Sequence, residues 1–211
     1  SKPIASLAFL GLVFLGVPDD AATAGTAASF HFWIAVGLVL GAVGDMALMF
    51  AGRGPLLAGL VAFLLGHLAY VVAFTVLAGP GAWVTPWALL PLGAAVLILR
   101  WLRPHVMRTA PAMLVPVAAY VVVITLMVAT ALGAAANAVV ATPWAHRDTV
   151  LWPDERWVFM VGGAVLFFVS DLSVARDRFV EQSWKNRAWG LPAYYAGQLL
   201  LAWGALLARG L

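Results

Sequence analysis

The stretch GLVLGAVGD (37–45) recurs without gaps as GAVLFFVSD (163–171), with Gly, Val, Leu, Val and Asp in register. Each copy lies in an apolar run long enough to belong to a membrane helix, and each ends on an aspartate. An ionised carboxylate is costly in hydrocarbon, so its presence asks for a partner or a task. The next helix repeats as well: GLVAFLLGHL (59–68) aligns with GLPAYYAGQL (190–199). There Phe63 aligns with Tyr194 and His67 with Gln198. Two matched helices in the same order and orientation indicate a duplicated unit.

Composition sets the solvent. Of 211 residues, 64% are hydrophobic and 10% charged, and the mean hydropathy is +0.98. A soluble domain carries roughly 25% charged residues. So few charges cannot cover a globular surface in water, whereas lipid tolerates an apolar one. The excess of 12 Lys+Arg over 9 Asp+Glu follows topology and gives no sign of nucleic-acid binding. With no cysteine there is neither a disulfide framework nor thiolate chemistry. The expected class is an all-α polytopic membrane protein, one bundle over residues 1–211.

Seven candidate spans follow at 4–17, 29–51, 55–78, 82–102, 110–136, 157–175 and 189–208. The longest linker, 137–156, holds Trp144 and Trp152 and leads into Trp157, a pattern expected of an interfacial aromatic belt. Placing Lys2 in the cytoplasm puts nine of the twelve basic residues inside, mostly in the loops around 103–108 and 176–187, as the positive-inside rule requires. The duplication implies two parallel four-helix repeats, about 1–80 and 81–211. The first would need an eighth helix ahead of the present first one.

Of the nine acids, only Asp45 and Asp171 are embedded in spans. By helical rise they lie roughly 8–12 Å in from the flanking Arg53 and Arg176, too deep for a short side chain to reach the interface. Other embedded polar residues fall at comparable depths: His67, Tyr70, Tyr120, Tyr194, Tyr195 and Gln198. Together they predict a shared cavity open towards the cytoplasm. Tyr194, near a helix end, also suits an interface anchor. The arginine-rich loops suit topology signals.

At these residues the chain resembles the YhhN family of lysoplasmalogenases. The shared features are Lys2-Pro3 opening a helix, Gly44-Asp45, FLLGHLAY (63–70), Pro116 with Tyr120, Ser170-Asp171, and YYAGQ (194–198). The resemblance implies an eight-helix membrane hydrolase. Its activity would be cleavage of the vinyl ether of lysoplasmalogens, giving a fatty aldehyde and glycerophospho-ethanolamine or -choline.

Such chemistry suits the residues present. A vinyl ether hydrolyses by protonation at its outer alkene carbon, leaving an oxocarbenium ion that water captures. A neutral acid, a nearby anion and a base for the water are needed. Two carboxylates in one low-dielectric pocket can divide these tasks, one protonated and one ionised. Glycosidases meet an oxocarbenium ion with a comparable pair of carboxylates. The expected catalytic pair is Asp45 and Asp171. His67, Tyr70, Tyr120, Tyr195 and Gln198 would orient substrate and water, and Lys2 would meet the phosphate of a lysophospholipid. No cofactor is expected. A metal held by Asp45, His67 and Asp171 is a thin ligand set. The rival class is a proton- or cation-coupled transporter using the same two aspartates. The abundance of Ala, Gly, Val and Arg suits a bacterial chain in the plasma membrane.

Overall fold

In a computed structural model the described residues are 2–15, 25–50, 52–141 and 155–208, and the regular secondary structure among them is all helical, joined by short turns. Seven α-helices are described: α1 (Lys2–Leu15), α2 (Thr26–Ala47), α3 (Arg53–Ala78), α4 (Leu89–Thr109), α5 (Leu114–Ala141), α6 (Glu155–Phe179) and α7 (Trp184–Leu207). In hydrocarbon every backbone N–H and C=O must be satisfied within the chain, and a helix does so segment by segment. Among the described residues, five stretches are long and apolar enough to cross a bilayer: Thr26–Ala47, Gly54–Ala78, Pro86–Thr109, Pro111–Ala138 and Glu155–Phe179. Of the seven spans expected, α1 is a short helix of 14 residues, and α7 interrupts its apolar sequence with Tyr194, Tyr195 and Gln198. The protein is a multi-pass membrane protein. Its outer surface carries Phe50, Leu89, Leu97 and Val115, while its core holds Ser6, His31, Asp45, His67 and Gln198.

Several boundaries differ from the sequence expectation for local reasons. Helix α2 stops at Ala47 because its last turn loosens into i→i+3 bonds, Met49 N–H to Met46 O and Phe50 N–H to Ala47 O. Gly52, at φ +131°, then reverses the chain. Pro80 and Pro86 each open a short 3-10 turn, so α4 begins only at Leu89. Helix α7 starts five residues early, at Trp184, where the Ser183 side chain accepts from Lys185 N–H. Asp177 Oδ1 secures that start by accepting from Ser183 N–H at 2.9 Å and Asn186 Nδ2 at 3.3 Å. Trp157 is buried in the first turn of α6 and is no part of an interfacial belt. Trp144 and Trp152 lie outside the described residues.

The most extensive packing is α2 against α3 and α6 against α7. Glycines set both approaches. A Cβ on Gly66 of α3 would meet Gly37 O of α2 at 3.2 Å, and one on Gly197 of α7 would meet Gly163 O of α6 at 2.9 Å. These are aligned positions of the sequence repeat, Gly37 with Gly163 and Gly66 with Gly197. The remaining contacts follow the same pattern: α1 packs on α2 and α7, and α5 packs on α6 and α3. Helix α4 lies against α5 and α6.

Close helix approach through small residues drives association in lipid, where there is no hydrophobic gain between helices. Gly197→Leu forces a side chain onto the α6 backbone and should destabilise the fold by about 1–3 kcal/mol. Gly93→Ala, where an added Cβ meets nothing within 4 Å, should leave stability at or above the starting value. Thermal unfolding of the purified protein in detergent compares the two.

Candidate active site

Helix geometry brings the embedded polar residues into two adjoining clusters. Asp45 sits in the last turn of α2, and Asp171 sits eight residues before the end of α6. Both carboxylates are held by hydroxyls.

Asp45 is buried, 4% exposed. Its Oδ2 accepts from Ser6 Oγ of α1 at 2.9 Å. The hydroxyls of Tyr194 and Tyr195 on α7 both face the same carboxylate. Tyr194 Oη in turn accepts from Gln198 Nε2 at 3.3 Å. Gln198 Oε1 accepts from Tyr70 Oη of α3 at 2.6 Å. The first cluster is therefore a line running Tyr70, Gln198, Tyr194, Asp45, Ser6, which ties together α1, α2, α3 and α7.

The second cluster centres on Asp171. Its Oδ2 accepts from Tyr120 Oη of α5 at 3.1 Å and lies 3.2 Å from His67 Nε2 of α3. His67 Nδ1 is 2.6 Å from Phe63 O. A carbonyl can only accept, so Nδ1 carries a proton. Nε2 is buried and makes no aligned hydrogen bond, and the Tyr195 hydroxyl is likewise without one. Buried polar atoms without partners are rare and usually mark a site of exchange with water or ligand. Here two such atoms stand beside the two carboxylates.

Between the clusters lie aromatic rings. Phe167 packs 4.5 Å from His67 and 5.2 Å from Tyr194 between centroids, and Phe63 lies 5.7 Å from Tyr194. Glycines on one face of α2 make room for this crowd. A Cβ on Gly41 would meet Gln198 Nε2 at 2.5 Å and Tyr194 Oη at 3.2 Å, and one on Gly44 would meet the Phe63 ring at 2.8 Å. Gly37 leaves space for the Tyr70 ring.

The residues singled out from sequence are thus largely brought together. His67 and Tyr120 meet Asp171; Tyr195 faces Asp45; Tyr70 and Gln198 join the Asp45 line. The side chain of Lys2 lies outside the described residues. The hydroxyls that bond the two carboxylates come from different helices, Ser6 of α1 for Asp45 and Tyr120 of α5 for Asp171. Asp45 stands among hydroxyls, and among the described residues no group of three His, Asp or Glu side chains converges as a metal-ligand set. Tyr194 is buried at the site and is not an interface anchor. Ser6 was missed. A lone serine in an apolar helix gives little signal, although its place one turn after Lys2 puts both on one helical face.

The YhhN family profile matches residues 1–205. The chain belongs to the YhhN family. A curated relative, the lysoplasmalogenase TMEM86A of Bos taurus, is 31% identical over 178 residues. That match covers 83% of this chain and 66% of the relative, so the chain spans just under two thirds of the relative's length. No solved structure matches the chain.

Gly41 offers a test of the site's construction. Gly41→Val should push Gln198 and Tyr194 out of line and leave the helices inserted. In any assay of the protein's activity, turnover should fall at least about tenfold, the cost of roughly one displaced hydrogen-bonding group, with a small change in melting temperature.

Proposed function

We propose that this protein is a membrane hydrolase that cleaves the vinyl ether bond of lysoplasmalogens, releasing a fatty aldehyde and a glycerophospho-ethanolamine or glycerophospho-choline. The observation that carries this is the pair of embedded carboxylates, Asp45 buried and Asp171 half-buried, each held by a hydroxyl donor and each beside a buried polar atom with no aligned partner. Family membership and the named activity of the bovine relative support the same reading.

The reaction proceeds in balanced steps. An acid at the Asp45–Asp171 site transfers a proton to the outer alkene carbon, R–CH=CH–O–R′ becoming R–CH2–CH=O⁺–R′. A neighbouring carboxylate opposes the developing charge in a water-poor setting, where preorganised groups are most effective. A water adds to the oxocarbenium carbon and gives its proton back to the site, forming a hemiacetal. The C–O bond to the glycerol oxygen then breaks: that oxygen takes a proton from the site, the hemiacetal hydroxyl gives its own proton back to the site, and the aldehyde leaves. One water is consumed and the site returns to its first protonation state. Tyr195 and His67, with unaligned polar atoms beside the carboxylates, are placed to receive the water and the ether. The apolar chain of the lipid lies among the helices. The phosphate lies at the basic rim, with Lys2 in this role. The distribution of arginines favours a site in the cytoplasmic half of a bacterial plasma membrane.

Mixed with a lysoplasmalogen in detergent, the purified protein should release a fatty aldehyde detectable by mass spectrometry. A carrier would leave the lipid intact and would need sealed vesicles and a gradient. In D2O the aldehyde should carry one deuterium on the carbon next to the carbonyl, because proton transfer to carbon is the defining step. Asp45→Asn and Asp171→Asn should each lower kcat by at least about a hundredfold while the protein stays folded. A wild-type rate in either variant rules that carboxylate out. Tyr120→Phe, which removes one donor to Asp171, should cost about tenfold.

A further inference from the structure

We infer that the two aspartates have fixed and different charges: Asp45 is the standing anion, and the transferable proton is kept between Asp171 and His67, with Gln198 the positioning residue that enforces the division. The catalytic meaning of this division rests on the hydrolase reading above; the charges themselves do not.

On the first side, hydrogen-bond direction decides. Tyr70 has one hydroxyl proton and gives it to Gln198 Oε1 at 2.6 Å. The Gln198 amide is thereby oriented with Nε2 towards Tyr194, donating to its oxygen at 3.3 Å. With that lone pair occupied, the Tyr194 proton points away from Gln198, towards the Asp45 carboxylate that its hydroxyl faces. Ser6 Oγ also donates to Asp45, at 2.9 Å. A carboxylate surrounded by directed donors is the acceptor-only, ionised form. A protonated Asp45 would set its own proton against that of Tyr194.

On the second side, the direction is reversed. His67 Nδ1–H is committed to Phe63 O at 2.6 Å, so in a neutral ring Nε2 is unprotonated, and it stands 3.2 Å from Asp171 Oδ2 outside hydrogen-bond alignment. Two lone pairs at that distance repel unless a proton lies on one of them. The His67–Asp171 pair therefore holds one proton more than a neutral imidazole facing a carboxylate. Tyr120 donates to the same Oδ2 at 3.1 Å, which leaves the extra proton free to depart to an acceptor. The bound vinyl ether carbon is that acceptor, and the pair regains its proton from the attacking water.

Infrared difference spectroscopy of the purified protein at neutral pH, without substrate, tests the charges. Asp45→Asn should remove an ionised-carboxylate stretch and no protonated-carboxyl C=O stretch. Loss of a protonated C=O band on that substitution overturns the assignment. Gln198→Glu is isosteric, keeps the acceptor for Tyr70 and deletes the donor to Tyr194. It should shift the Asp45 carboxylate band and lower kcat by about a hundredfold, with little change in KM. Tyr194→Phe should shift the same band, and the double variant should be no worse than either single one. An unmoved band in both Gln198→Glu and Tyr194→Phe removes Gln198 from the role. Ser6→Ala, which deletes only a hydroxyl, reads the same band if either variant fails to fold. Because the spectra need no lipid, failure to cleave lysoplasmalogens would end the hydrolase reading while leaving the charge assignment to stand or fall by itself.

Discussion

Burying a carboxylate inside a membrane bundle is the constraint from which the rest of this structure follows. The desolvation cost of an isolated charge is far larger than the net stability of a domain. Asp45 and Asp171 can persist only because helices from both halves of the chain deliver donors to them. Ser6 from α1 and Tyr194 of α7 serve Asp45; Tyr120 of α5 and His67 of α3 serve Asp171. Removing the acids would leave those donors aimed at nothing, so the polar core stands or falls as a unit.

The helices can deliver these donors only at short range, and glycine makes that range possible. Gly37, Gly41 and Gly44 recur on one face of α2, each opposite a bulky member of the site: Tyr70, Gln198 with Tyr194, and Phe63. Gly163 and Gly197 allow α6 and α7 to meet backbone to backbone. Packing and chemistry are thus joined at the same residues. The glycines that let helices associate in lipid also clear the space in which polar groups meet.

Much of this was legible in the sequence because hydrocarbon leaves so few choices. Apolar runs of about 20 residues must be helices there, and an embedded Asp or His must face inward. Hence α2, α3, α5 and α6, and the gathering of embedded polar residues around the aspartates, followed from pattern alone. What failed to follow was decided by single backbone or side-chain contacts. The early start of α7 depends on Ser183 and Asp177, and the late start of α4 depends on the 3-10 turns opened by Pro80 and Pro86. Trp157 and Tyr194, placed near helix ends, carry the composition of interfacial anchors, yet the helices that continue past them turn both inward. Ser6 is invisible to composition, since one hydroxyl barely alters the hydropathy of an apolar helix. Nor does any pattern in one dimension tell which acid meets which base.

That pairing turns out to be crosswise. Asp45 receives its hydroxyl from Ser6 on α1, the helix preceding its own, and Asp171 receives one from Tyr120 on α5, the helix preceding its own. The helices that follow the two aspartate helices then cross over: His67 of α3 reaches Asp171, whereas Gln198 of α7 connects through Tyr194 to Asp45. His67 and Gln198 are aligned positions of the repeated sequence, so the two half-sites are alike in plan and differ in one group that can carry a proton and one that cannot. An imidazole can take up and release a proton at a single nitrogen; a carboxamide only holds its neighbours in a fixed direction. In the proposed hydrolysis, two equivalent carboxylates would have no reason to divide an acid's work from an anion's. The exchange of one side chain at matched stations supplies that reason, and it needs no change in the helices that carry them.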